Sequence, residues 1–509
     1  MSAAARAAEA ADLSRGRLRM ALLLALLPLA ALAAVAIGMT LGVRGRDVRL
    51  LVLAVVTLAS ALVPVILDQG RLPTRRHVLL SMMSLVYMAH FVTPSFTSYI
   101  PAVGPVEAPG MAGSDLMPAH VARGQTVALY GLGALMLGYA IPLGRAVRRL
   151  RSHRSRDWPP MVTLLVALVM VTIGWLIQIA GQLGVIPEEL GSGVLSTLGS
   201  ALVYGNVLLT YSVLRHGSYA AFVLLCAIVP VTSALGFFTG SKTYVLVAPM
   251  MVVLTTVVWT RRIRLRWVAL GVVALALLYP TSEFFRAVIL ADYTLTAADA
   301  LQDPNATIMR VSQFVSSSRP GEYFAEGLAA TGARLDGLGV TSVIVRDTPR
   351  VSPFQNGRTL WLFFVAFVPR VFWPSKPTIT IGEFITDVYG SGPMIDSDTG
   401  PTQIGDYYLN FGTPGVVAGM VLLGILLRLA HEVFLRDERP TASAMLAVVV
   451  ILYQLTIRFE GGVAAQYAST AFALIPLGLI ALVIRILVPT PRTKSPTPVA
   501  WQAGEVLQR

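Results

Sequence analysis

Apolar runs of membrane length recur along most of this chain, and they leave it few folds to adopt. About twelve segments can be marked out, each close to the roughly 17 to 25 residues that a spanning helix needs. Nine lie near residues 20–41, 50–67, 78–95, 126–143, 161–180, 194–214, 218–238, 244–260 and 267–282. Three more lie near residues 414–429, 442–457 and 470–487. A backbone in hydrocarbon must satisfy its own hydrogen bonds, so runs of this length read as helices. Only 13% of the residues are charged, against about 25% in a soluble domain, and the mean hydropathy is +0.69. The expected fold is all-α: a polytopic membrane bundle of about twelve transmembrane helices.

The formal charge of +13 would suit a nucleic-acid partner, but the excess sits in short basic clusters beside apolar runs. There it sets orientation, so no nucleic acid is expected. Residues 144–160 carry Arg145, Arg148, Arg149, Arg151, Arg154 and Arg156, and residues 259–266 carry Arg261, Arg262, Arg264 and Arg266. Both connections belong in the cytoplasm by the bias of Lys and Arg toward that side, as does the link with Arg428, Arg436 and Arg439. Loops 94–125 and 181–193 are nearly free of positive charge and suit the outside. Arg44, Arg46 and Arg49 oppose this scheme. It places both tails, 1–19 and 488–509, inside, the bundle at 20–282 and 414–487, and the insert 283–413 outside. Ala- and Arg-rich usage points to a GC-rich bacterial genome, and the expected location is the bacterial cytoplasmic membrane.

Cys226 is the single cysteine and lies in an apolar run, so no disulfide framework forms within one chain. None of the six histidines falls in the insert, none has metal-site spacing, and no phosphate-cradling glycine loop is present. No metal or other cofactor is expected.

The insert departs from the apolar pattern. It strings Arg286, Arg310, Arg319, Arg334, Arg346, Arg350, Arg358, Arg370 and Lys376 through a polar stretch. Within it, 360–372 is apolar but short and interrupted by Pro369 and Arg370, so it reads as a re-entrant or interfacial helix between two soluble lobes, 283–359 and 373–413. Guanidinium forks match diphosphate oxygens, which makes a lipid pyrophosphate the leading anion for this stretch. Glu283 and Arg286 share a helical face, as an anion site or as a local ion pair. Asn356-Gly357-Arg358 marks a turn that carries Arg358 to the membrane surface. Arg370 and Lys376 bracket Trp373-Pro374, either to hold a sugar phosphate or as an interfacial anchor. Asp406 stands beside Tyr407 and Tyr408 and before Asn410, as a general base, a sugar-hydroxyl ligand or a helix-start aspartate. Lys242, and Arg458 with Glu460, either complete an anion pocket or snorkel to the interface.

In its architecture, and in three local stretches, the chain resembles the bacterial O-antigen and exopolysaccharide repeat-unit polymerases (Wzy-type). The stretches are Gly240-Ser241-Lys242, Pro369-Arg370 with Trp373-Pro374 and Lys376-Pro377, and Gly405-Asp406 with Asn410-Phe411-Gly412. Relatives often carry glutamate at the Asp406 position and arginine at the Lys242 position; both changes keep the charge, but lysine lacks the bidentate fork. The resemblance implies glycosyl transfer between polyprenyl-pyrophosphate-linked oligosaccharides, with lipid pyrophosphate leaving and no nucleotide. It implies anion contacts from Arg370, Arg358, Arg310 and Lys242, and a base for which Asp406 stands ahead of Glu283 and Glu460. A chain-length regulator and a repeat-unit flippase are the implied partners, beside membrane lipid. An O-antigen ligase-type enzyme, or a transporter, is the alternative.

Overall fold

Helix follows helix along the chain, and among the described residues there is no strand. The computed structural model describes residues 31–36, 45–69, 76–99, 116–143, 147, 157–182, 199–238, 242–263, 305, 309, 312–313, 335–370, 372–373, 375–390, 400–436 and 439–488. The elements are α1 (Gly45–Gln69), α2 (Val78–Tyr87), α3 (Pro118–Ala140), α4 (Pro160–Gln182), α5 (Ala201–His216), α6 (Tyr219–Phe238) and α7 (Lys242–Thr260). They continue with α8 (Gly337–Asp347), α9 (Arg358–Ala366), α10 (Gly382–Tyr389), α11 (Thr402–Ala430), α12 (Ala442–Ile451) and α13 (Val463–Leu487). Wide π-turns extend α2 at Met88–Val92, α11 at His431–Leu435 and α12 at Leu452–Ile457. The expected span 267–282 lies outside the described residues, as do both tails apart from Val488.

Among the described residues, five helical stretches are long and apolar enough to cross a membrane: Val48–Asp68, Val78–Thr97, Pro160–Gly181, Thr402–Leu435 and Val463–Leu487. Tyr219–Ala234, Val245–Thr260 and Ala442–Ile457 are apolar but shorter. Eight of the expected positions fall on these stretches, while those at 126–143 and 194–214 fall on α3 and α5; two starts are moved by polar residues. Helix α3 begins at Pro118 rather than 126, because proline suits the first helical position and the buried Gln125 still has partners. Its buried Gln125 donates to Thr57 Oγ1 at 2.9 Å and accepts from Ser95 Oγ at 3.3 Å. Helix α13 begins at Val463 rather than 470, and its Thr470 hydroxyl donates to the Gln466 carbonyl one turn back.

Helices α3 and α11 form the centre of the packing, and glycine brings their backbones together. A Cβ on Gly138 would strike the Val421 carbonyl, and one on Gly424 would strike that of Leu135. Small residues at such a crossing supply the contact that lipid cannot drive by hydrophobicity. The second packing feature departs from the sequence reading. Helix α8, expected within a soluble lobe, lies against α3 and α11 with Leu338, Val343 and Ile344 buried. Its Ser342 occupies the space beside Gly124, and Thr341 Oγ1 meets Thr402 Oγ1 at 3.0 Å. Its eleven residues interleave Leu, Val and Ile with Gly, Thr and Ser, and so make no apolar run of membrane length for the sequence to show.

Two polar ends result. At one, Asp68 Oδ2 accepts from the His77 backbone N–H at 2.9 Å and from Ser81 Oγ at 2.6 Å. There the His77 and His431 rings lie 4.7 Å apart, and Arg428 pairs with Glu432 at 2.8 Å. The other end carries α8, α9, α10 and the first turns of α11 and α13.

Candidate functional site: a braced cavity beside a short aromatic helix

Helix α11 is not continuous. Phe411 (φ −140°) and Gly412 (φ +64°, ψ −154°) leave helical geometry, with Pro414 just beyond. The expected span start at 414 therefore coincides with a real break, and residues 402–410 form a separate leading segment. Glycine is the residue that enters this backbone region without strain.

The leading segment carries Asp406 and Asn410, one helical turn apart. Asp406 is 1% exposed. Its Oδ1 accepts from Thr359 Oγ1 at 2.6 Å and from Asn410 Nδ2 at 3.1 Å. Its Oδ2 accepts from the backbone N–H of Val463, the first residue of α13, at 2.8 Å. A buried carboxylate at a helix N-terminus is stabilised by the unpaired amides and the helix dipole. Asn410 completes the brace: its Oδ1 accepts from the Gly357 N–H at 2.9 Å. The Asn356-Gly357 turn falls where the sequence put it, with φ of 48° and 89°. One carboxamide and one carboxylate thus tie α9, α11 and α13 together. Both Asp406 oxygens are occupied and shielded, an arrangement that suits holding these elements in place.

Beside the brace lies a cavity of about 160 Å³, between the starts of α10, α11 and α13. Its lining includes Arg458, Glu460, Gly461, Gly462, Gln466 and Pro401. Gln466 Nε2 holds the Arg458–Gly462 turn by donating to the Gly461 carbonyl at 2.8 Å and to that of Arg458. Gln403 Nε2 donates to the Leu455 carbonyl at 3.0 Å and to Gln466 Oε1. The Arg458 side chain lines the cavity, and among the described residues it has a 3.4 Å contact to Gln454 Oε1. Arg458 and Glu460 line this cavity together, and a guanidinium with a carboxylate is a set able to hold an oxyanion beside a hydroxyl.

Helix α9 borders this site and packs on α13, with Phe367 4.9 Å from Phe472. Nine residues of helix span about 14 Å, far short of a membrane crossing. Trp361, Phe364, Phe372 and Trp373 are exposed along this stretch. Arg358 opens α9 with an exposed side chain. Arg370 and Lys376 do come together: Arg370 donates to the Lys376 carbonyl at 3.3 Å. The Lys376 ammonium donates to the Ala366 and Val368 carbonyls, each at 3.0 Å, and so caps the end of α9. Burial, with the nearby Arg370 charge, pushes the Lys376 ammonium below its ordinary pKa.

Among the remaining expected site residues, Tyr407 is buried with its hydroxyl 3.4 Å from that of Tyr467. Lys242 is the first residue of α7. Glu283, Arg286 and Arg310 lie outside the described residues. Sequence reasoning missed Thr359, Gln403 and Gln466. An isolated Thr or Gln in an apolar helix start carries no motif, and only its burial among partners shows its part.

Fold and site together define an all-helical protein of membrane type, with its polar chemistry gathered at the ends of the bundle. The chain belongs to the family described as Domain of unknown function (DUF8712), which matches residues 75–455. That match takes in the Asp406–Asn410–Thr359 brace and ends before Arg458. No curated protein and no solved structure matches the chain.

Proposed function

We propose that this protein is a membrane polysaccharide polymerase. It joins polyprenyl-pyrophosphate-linked oligosaccharide repeat units on the outer face of the bacterial cytoplasmic membrane, through a bundle of about twelve spans with both termini cytoplasmic. The observation that carries this reading is the Arg458–Glu460 cavity, lined in part by the first turns of α13, on which a short helix with exposed aromatic residues also packs. A headgroup carried by a lipid would enter from that side, with its isoprenoid tail along α13.

In the proposed reaction, an acceptor sugar hydroxyl attacks the anomeric carbon of the donor glycan. The new C–O bond forms as the bond to the pyrophosphate oxygen breaks, and the polyprenyl pyrophosphate departs with the electron pair. Arg458 stabilises the developing charge. Glu460, which lines the cavity, takes the hydroxyl proton, while Asp406 and Asn410 hold the walls in register. Arg358 and Arg370 lie at headgroup depth, and a chain-length regulator and a flippase act beside the enzyme.

Deletion of the gene tests this reading directly. Lipid-linked single repeat units should accumulate and long polymer should disappear; an unchanged polymer profile would overturn it. In a reconstituted assay, Arg458→Gln should slow chain extension at least about tenfold, since charged hydrogen bonds are worth about 1.5–3 kcal/mol. Its thermal unfolding should stay that of the parent.

One observation favours ligase-type transfer as a second reading. That chemistry calls for a histidine at this end, and α3 brings His120 beside Arg346 and Arg350 of the insert.

A further inference from the structure

Helices α3 and α8 run antiparallel. They cross where Gly124 meets Ser342, and Gly337 lies near His90, deeper in the bundle. Outward from the crossing, His120, one turn before Gly124 on α3, lies within the electrostatic reach of Arg123, of Arg346 and Asp347 at the end of α8, and of Arg350 just beyond it. Three guanidinium groups and one imidazole thus share this rim with one described carboxylate, Asp347.

That carboxylate is already engaged. Arg346 grips Asp347 with both arms of its fork, at 2.9 Å and 2.7 Å. The pair cancels in charge and leaves Arg123 and Arg350, both exposed at the rim, without an ion pair or hydrogen bond to any described residue. The His120 Nδ1 atom is buried and has no hydrogen-bond partner among the described residues. The first turn of α3 adds to this: its N-cap, Met117, offers no side-chain acceptor, so the positive end of the helix dipole faces the same rim. Half-buried Tyr408 lies within the field of Arg123 and borders the cluster. An unsatisfied buried nitrogen and two unpaired guanidinium groups lack one thing in common, an anionic acceptor.

We infer that Arg123, Arg350 and His120 form a binding site for a phosphate-type anion at the rim between α3 and α8. The forks of Arg123 and Arg350 would grip the anion's oxygens, with His120 Nδ1–H as a further donor. The two unpaired positive charges suit a dianionic group such as a diphosphate, or the phosphates of an anionic lipid headgroup. This site has no lining residue in common with the Arg458 cavity, and the inference does not rest on the polymerase reading.

The test uses the full chain, purified in an uncharged detergent, and two probes. Binding of farnesyl pyrophosphate is measured by calorimetry. Retention of phosphatidylglycerol over phosphatidylcholine is measured by native mass spectrometry. The double variant Arg123→Gln/Arg350→Gln should weaken binding of at least one probe about tenfold or more. Arg439→Gln, a charge removal in the link expected on the cytoplasmic side and outside both sites, should leave that binding within about twofold. Loss confined to farnesyl pyrophosphate assigns an isoprenoid carrier, and loss of phosphatidylglycerol retention assigns a membrane phospholipid. If neither probe binds the parent chain, or the double variant binds both as the parent does, the inference is overturned. Both arginines are at the surface, so the variant should fold, and an unchanged unfolding temperature checks that it has.

Discussion

Asp406 shows how differently one residue reads in sequence and in space. Flanked by tyrosines before a span, it reads as a base or a sugar ligand; in the fold it accepts hydrogen bonds from three elements. Asp406→Ala would leave the Thr359 hydroxyl, the Asn410 amide and the Val463 N–H without this acceptor, at a cost of about 1–3 kcal/mol for each donor that stays buried and unpaired. Asp406→Asn keeps one carbonyl oxygen and should lose clearly less. Thermal unfolding in detergent checks the order; an alanine variant as stable as the parent would remove the brace from the argument. That a polar motif exists at Gly405–Gly412 was legible from the run of Gly, Asp and Asn. Its role was not, because Val463, the partner that matters most, stands 57 residues away.

At the scale of elements, apolar length located the helices well, and breaks and short helices were harder. Pro414 signalled where α11 is interrupted, yet the leading segment 402–410 was hidden because its polar residues are satisfied by neighbours rather than by water. Gly412→Ala should disturb that junction, since φ of +64° with ψ of −154° is open to glycine almost alone. The expected cost is about 1–3 kcal/mol. A lowered unfolding temperature checks it; an unchanged one would mean that the junction relaxes freely. Helix α9 appeared in the sequence as a short apolar stretch at 360–372, and it is shorter still, ending at Ala366 where the Lys376 ammonium meets its last carbonyls. Lysine spacing gives no hint of this cap, which depends on the Pro-containing return of residues 369–376.

Across the whole molecule, segments that charge bias assigned to one side of the membrane meet at one end of the bundle. Asp68, His77, His431 and Glu432 gather there, as do Asp157 and Tyr211, with Tyr211 donating to Asp157 at 2.8 Å. Thr359, Asp406 and Arg458 lie at the other. The proposed topology makes this a statement about accessibility. In a chain whose Cys226 is replaced by alanine, a cysteine at Ser375 should react with an impermeant maleimide in intact cells, and one at Arg439 only after permeabilisation. The reverse pattern would refute the proposed orientation. The sequence by itself determined where the helices run, because apolar length and helix-compatible spacing are local properties that lipid and backbone hydrogen bonding enforce segment by segment. Only the tertiary structure decided that α8 packs on α3 and α11, that Asp406 ties three elements together, and that His120 and Arg123 share a rim with Arg350. Such meetings depend on which helices pack, and packing is set by glycine contacts and buried polar pairs far apart in the chain, which no local pattern encodes.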